Sequence, residues 1–168
     1  MSDFKTNLND NRLAEEAAHG LDGVIDKTDS KHIKHLYGLV VQYEDIDAGG
    51  IVYHSTYLNF AERARSALLR ASKFDVQYWL AEENQGFVIT HIETDYLSPA
   101  KLHNRLIVET SCLQLGGASA LLQQNINSFD RGHIFARVMV KAAWVDIELG
   151  PRKFPEPLQM VLRSFQPK

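Results

Sequence analysis

The chain has 168 residues, enough for one domain with an ordinary hydrophobic core. Its 18 Lys and Arg against 21 Asp and Glu leave a formal charge of −3, too mild for the basic stripe of a nucleic-acid binder. The single cysteine, Cys112, excludes an intrachain disulfide framework, and no apolar run approaches membrane-spanning length.

The first residues, Met1 to Asp10, lack the charged start and apolar core of a signal peptide. With the lone cysteine, this sets the expectation of a reduced, cytoplasmic setting. Residues 1–32 are polar and hold few large apolar groups, so they are expected to form a mobile extension, with a short helix around Leu13–His19 as its one local pattern. Residues 33–43 read as a first strand, with Ile33, Leu39 and Val41 sharing a parity. A helix is predicted over 57–72, where Tyr57, Ala61, Ala64, Leu68 and Ala71 recur at spacings of four and three. These side chains are mostly small, which lets the helix lie close to a sheet, and Ser55 or Thr56 is placed to cap it. A second, short helix is predicted over Asp75–Glu83, ending before Gly86.

Four strands follow, approximately 87–97, 104–116, 119–129 and 133–147. In the last, Ile134, Ala136, Val138, Val140, Ala142 and Trp144 share one face, and Arg137 and Lys141 the other. Gly116-Gly117 and the Asp130 to Gly132 stretch read as hairpin turns. With no helices between them, these strands are expected to form an antiparallel meander. One strand, one long helix and four strands make an α+β domain, a five-stranded antiparallel sheet around a helix, over 33–158. The remaining 159–168 form a C-terminal tail, and Leu158, Val161, Leu162 and Phe165 are spaced to pack an amphipathic turn on the domain.

The densest chemistry lies in residues 43–60. Asp45 and Asp47 crowd a turn, Gly49 and Gly50 follow at once, and His54 stands just ahead of the predicted helix. A carboxylate, a glycine-rich bend, a histidine and a helix N-terminus are the parts that polarise and attack a carbonyl. Asp47 also fits an Asx-turn that accepts hydrogen bonds from Ala48, Gly49 or Gly50. Glu62 is the rival carboxylate, but Arg63 and Arg65 flank it and favour ionic pairing. Ser111 and Cys112 lack a nucleophile elbow, and Cys112 reads as core. His32 and His35 find no further ligands for a metal site. Lys101, Arg105, Arg131, Arg137 and Lys141 are surface cations whose default is solvation.

The run from Tyr43 through Asp47 to His54, then Tyr57 to Arg65, and the later Asp95 to Ala100 resemble the hotdog-fold acyl-CoA thioesterases of the 4-hydroxybenzoyl-CoA thioesterase type. Within that group the chain is most similar to the small bacterial thioesterases associated with the Tol-Pal system. The resemblance implies a hotdog fold and hydrolysis of an acyl-CoA thioester. It implies Asp47 as nucleophile or general base, His54 beside it, and Gly50, Tyr53, Tyr57 and Lys101 as substrate contacts. It calls for no metal or redox cofactor. It also implies a homodimer or homotetramer with the site shared between subunits. Acyl carrier protein, or proteins of the envelope or of lipid synthesis, are further partners to consider. Two other classes remain open: a hotdog dehydratase or isomerase on acyl-CoA or acyl carrier protein, and a non-catalytic binding module at the cell envelope.

Overall fold

Helix α2, Thr56–Ala71, is the element around which the chain folds. Its buried face is Tyr57, Phe60, Ala61, Ala64, Ala67 and Leu68, the three-and-four spacing of an amphipathic helix. Half of these are alanines, so the helix backbone approaches the sheet closely. The structure, a computed structural model, describes residues 12–167. Facing α2 are Leu106 and Val108, Ile126, and Ala136, Val138 and Val140, from three neighbouring strands.

Those strands belong to one antiparallel sheet, seven-stranded among the described residues. Five are long: β2 Lys34–Val40, β3 Gln85–Tyr96, β4 Arg105–Leu115, β5 Ser119–Ser128 and β6 Ile134–Asp146. Two are short: β1 Val24–Asp26 and β7 Gly150–Pro151. The α+β pattern and the sheet around a helix stand as expected. So does the inward face of β6, where Ala136, Val138, Val140, Ala142 and Trp144 are all buried. The strand order, β1-β2-β4-β5-β6-β3 with β7 beside β6, departs from a simple meander. Strands β1 with β2, and β4 through β7, run as neighbours in sequence order, whereas β3 does not. Strand β3 follows the α2 crossing and pairs with β6 at the far edge, because a period-two pattern specifies a face and not a neighbour.

Short helix α3, Val76–Glu82, is capped by the Asp75 carboxylate, which accepts the Tyr78 N–H at 3.0 Å. The C-terminal residues form helix α4, Glu156–Ser164, whose Leu158 and Leu162 are buried, with Phe165 just beyond. They join Trp144, Phe74, Phe154 and Cys112 in a second core at the other end of α2. Residues 159–167 are therefore part of the packed domain rather than a tail.

The expected mobile extension is corrected from residue 12 onward; residues 1–11 lie outside the described residues. Residues 12–19 form helix α1 on the outer face of the sheet, burying Leu13, Ala14 and Ala17 against Leu36 and Ile107. Strand β1 then adds to β2, and Arg105 and Arg70 pair with Glu15 and Asp22. The segment was misread because its apolar residues are few and small; they suffice because a glycine lets the helix in. A Cβ at Gly38 would stand 2.5 Å from the Ala18 Cα. His35, fully buried beneath the same segment, bonds the Asp22 carbonyl through Nε2 at 2.7 Å, and burial lowers its pKa.

Gly38→Ala should therefore push α1 off the sheet while leaving the α2 core intact. Limited proteolysis should cut the N-terminal segment markedly faster in this variant, with far-ultraviolet dichroism of the remainder preserved. Unchanged cleavage kinetics would mean that Gly38 is not the seat of α1.

Candidate active site

The two acidic residues of the motif have divided roles. Asp45 is buried on a single 3₁₀ turn, Tyr43–Asp45. Its carboxylate accepts the Gln42 N–H at 2.7 Å and its carbonyl accepts the Tyr53 N–H at 2.9 Å, so it ties down the base of a loop. That loop is closed by pairing of Ile46 with Val52, by the Asp47 N–H donating to the Ile51 carbonyl at 2.9 Å, and by the Gly50 N–H donating to the Asp47 carbonyl at 3.0 Å. Gly50 closes it with φ of +76°, a left-handed conformation that favours glycine.

Asp47 itself is exposed. Its Oδ1 accepts the Gly49 N–H at 2.7 Å, the Asx-turn weighed from sequence. Its Oδ2 has no partner among the described residues, so the turn orients the carboxylate without occupying it.

His54 lies between this loop and α2. Its ring packs between Tyr53, at 4.3 Å, and the edge of Tyr96, at 6.4 Å. The Tyr96 hydroxyl donates to the His54 carbonyl at 2.9 Å, which fixes the peptide just before the helix. The His54 N–H has no partner among the described residues. Ser55 is the N-cap residue but makes no side-chain cap, contrary to expectation, because its backbone already has helical angles. The Thr56 and Leu58 N–H groups are met instead by the Tyr53 and Ser55 carbonyls. The start of α2 thus presents its positive end without a side chain over it.

Tyr57 anchors this end. Its buried hydroxyl oxygen accepts the Ala100 N–H at 3.0 Å, and burial raises its pKa. Asp47, His54, Tyr57, Tyr96 and Ser98 line one open cleft. Gly50, Tyr53 and Lys101 border the loop without lining that cleft: Gly50 at the bend, Tyr53 half-exposed beside His54, and Lys101 bridged to Ile51. Tyr96 and Ser98 went unremarked as site residues. The available signal was two hydroxyls two positions apart, directly ahead of Pro99 and Ala100.

Glu62 lies outside this cleft. It accepts from Arg65 at 2.5 Å, and Arg65 also donates to Gln124 Oε1 at 2.6 Å. The fully buried Gln124 in turn donates to the Ala61 carbonyl and to Thr110. Glu62 and Ser66 sit at one end of a narrow apolar slot bounded by Leu69, Phe87 and Leu122. Cys112 is fully buried, and burial pushes its thiol up to about 11, which leaves it protonated at neutral pH. Two of the surface cations are committed within the chain. Arg105 pairs with Glu15 at 2.9 Å and covers Phe129, and Arg131 pairs with Glu109 at 2.5 Å.

Residues 41–165 match the sequence profile of the Thioesterase-like superfamily. An acyl-CoA thioesterase YbgC of Haemophilus influenzae is 39% identical over 75% of this chain and 92% of its own length. Among solved structures, a probable thioesterase from Bartonella henselae is 30% identical with a TM-score of 0.68, covering 73% of this chain and 99% of its own. A 1,4-dihydroxy-2-naphthoyl-CoA thioesterase from Synechocystis shares the fold at 20% identity, with a TM-score of 0.73 over 77% of this chain and 96% of its own. The chain belongs to the thioesterase-like superfamily and has its hotdog fold.

Proposed function

We propose that the chain hydrolyses acyl-CoA thioesters to a carboxylic acid and free coenzyme A, with the chemistry in the cleft at the start of α2. The observation that carries this reading is the placement of Asp47 and His54 in one cleft against an uncapped helix start. The H. influenzae relative, named an acyl-CoA thioesterase, supports the substrate class.

The geometry suits a carbonyl whose oxygen turns toward the His54 N–H and the positive end of α2. Charge developing on that oxygen is stabilised there, in the manner of an oxyanion hole, where one donor contributes about 10²–10³ in rate. Asp47 Oδ2 then attacks the carbonyl carbon to give an anhydride, or removes a proton from water that attacks it. Either path forms the C–O bond and expels the sulfur with the C–S electron pair. The Gly49 N–H on Oδ1 holds the carboxylate in one orientation for both. The His54 imidazole, on the same wall, serves to hold water or the sulfur.

Two copies are proposed to complete the site. Among the described residues strand β3 pairs on one side only, leaving twelve residues of open sheet edge, with Val88, Ile89 and Ile92 exposed on it. A long apolar edge of this kind invites pairing with another strand. Edge-to-edge pairing of two β3 strands joins the sheets and brings a second chain alongside the cleft, which Tyr96 of β3 already lines. No helix among the described residues is long and apolar enough to cross a membrane.

Asp47→Asn keeps the size and the turn but removes the base or nucleophile. Turnover of acyl-CoA, read as thiol release, should fall by at least about 10²-fold, with dichroism and oligomer size unchanged. Glu62→Gln should cost less, since Glu62 is paired with Arg65. Near-normal thiol release from Asp47→Asn would overturn the assignment. Formation or migration of a substrate double bond without thiol release would favour a dehydratase or isomerase.

Sedimentation at low micromolar concentration should give a dimer or tetramer, and Ile92→Pro, which breaks the β3 edge, should dissociate it and abolish activity together. An active, well-folded monomer would contradict the shared site.

A further inference from the structure

Beyond Asp47 and His54, the cleft contains a hydroxyl joined to a second histidine. Ser98 lines the cleft, and its Oγ is hydrogen-bonded to Nε2 of His133. Neither residue is adjacent to the motif in sequence; they meet because the end of β3 lies beside the β5–β6 turn. Both are held firmly. The Leu97 and Ser98 N–H groups donate to the Phe135 carbonyl at 2.9 and 3.1 Å. His133 donates its N–H to the Ser128 hydroxyl at 3.0 Å, accepts the Ser128 N–H at 2.7 Å, and packs its ring edge-on to Phe135 at 4.8 Å.

The other cleft hydroxyls are differently engaged. The Tyr96 proton is committed to the His54 carbonyl, and the Tyr57 oxygen holds the Ala100 N–H. Ser98 is the cleft hydroxyl that is coupled to a titratable ring. That ring is exposed and so exchanges protons with solvent. Asp130 is an acidic neighbour of that ring, on the same turn. The Asp130 carboxyl is held below its ordinary range first by the Ser128 hydroxyl and then by the Gly132 N–H.

We propose that Ser98 delivers the proton to the departing sulfur and that His133 positions and recharges it. This rests on the thioester-hydrolysis reading of the same cleft. When the C–S bond breaks, the sulfur leaves with the electron pair. The Ser98 O–H gives its proton to that sulfur, forming the thiol, and Ser98 takes the Nε2 proton of the His133 imidazolium. His133, now neutral, regains a proton from solvent, so the pair ends the cycle unchanged. Asp47 and the α2 start act on the carbonyl, and Ser98 acts on the leaving group.

The test compares two leaving groups on one acyl chain: an acyl-CoA and the acyl 4-nitrothiophenyl ester, whose thiolate is stable without a proton. On acyl-CoA, Ser98→Ala and His133→Ala should each lower kcat by about 10–100-fold, the range for a hydrogen bond to a charged group, with KM little changed. The double variant should be no slower than Ser98→Ala alone, because the residues act in series. On the nitrothiophenyl ester all three should turn over like the unaltered enzyme. Ser98→Thr, which keeps the hydroxyl, should restore acyl-CoA turnover and guards against a folding defect. An unchanged kcat for Ser98→Ala, or an equal loss on both esters, would overturn the relay. Asp47→Asn measured alongside separates the two claims: its full activity would overturn the thioesterase reading beneath the relay, whereas its inactivity beside an unimpaired Ser98→Ala overturns the relay alone.

Discussion

The close approach of α2 to the sheet is the constraint from which the rest of the structure follows. Ala61 and Ala64 are fully buried in the core that α2 shares with β4, β5 and β6, and Ala67, one turn on, is fully buried too. A larger side chain at any of them would lift the helix, since packed interiors do not absorb added volume without strain. Phe60 and Leu68 supply the bulk of the apolar burial, at about 1.5–3 kcal/mol for each large side chain. The helix is then pinned at its start by the bond from the Ala100 N–H to the Tyr57 hydroxyl. Ala100 also accepts the Val52 N–H at 2.9 Å, so one residue of the β3–β4 connection fixes both the helix and the loop that carries Asp47. The site is precise because its two halves share that anchor.

Position and chemistry are divided between neighbouring residues throughout this region. Asp45 is buried and spends its carboxylate on backbone, whereas Asp47 is exposed and its carboxylate accepts the Gly49 N–H on Oδ1 alone among the described residues. Tyr96 spends its proton holding the His54 peptide, and Ser98, two residues along the same chain segment, keeps a hydroxyl in the cleft. Glu62 and Arg65 join the surface of α2 to the buried Gln124 and so to Thr110 on β4. That chain of bonds explains a carboxylate on the central helix without giving it a catalytic task.

Much of this was legible in the sequence. The spacing of Tyr57, Ala61, Ala64 and Leu68 gave α2 to within a residue at each end, and the alternation from Ala136 to Trp144 gave the inward face of β6. The Asp47 to His54 motif drew attention to the cleft that the fold assembles. Strand order was not legible, because alternation says which face is buried and not which strand lies alongside. The N-terminal segment was misread for a related reason: Leu13, Ala14 and Ala17 make a weak apolar stripe, and only the notch at Gly38, on a distant strand, makes it enough. Ser98 and His133 are 35 residues apart and meet only through sheet pairing, so no local pattern pointed to their contact.

The most direct measurement is a crystal structure of the Asp47→Asn protein with a non-hydrolysable acyl-CoA analogue in which a methylene replaces the sulfur. The ketone oxygen should lie within hydrogen-bond reach of the His54 N–H, with residue 47 beside the carbonyl carbon and the acyl chain running against the second subunit. An analogue whose carbonyl sits elsewhere, such as in the slot between Glu62 and Leu122, would contradict the placement of the chemistry at the start of α2.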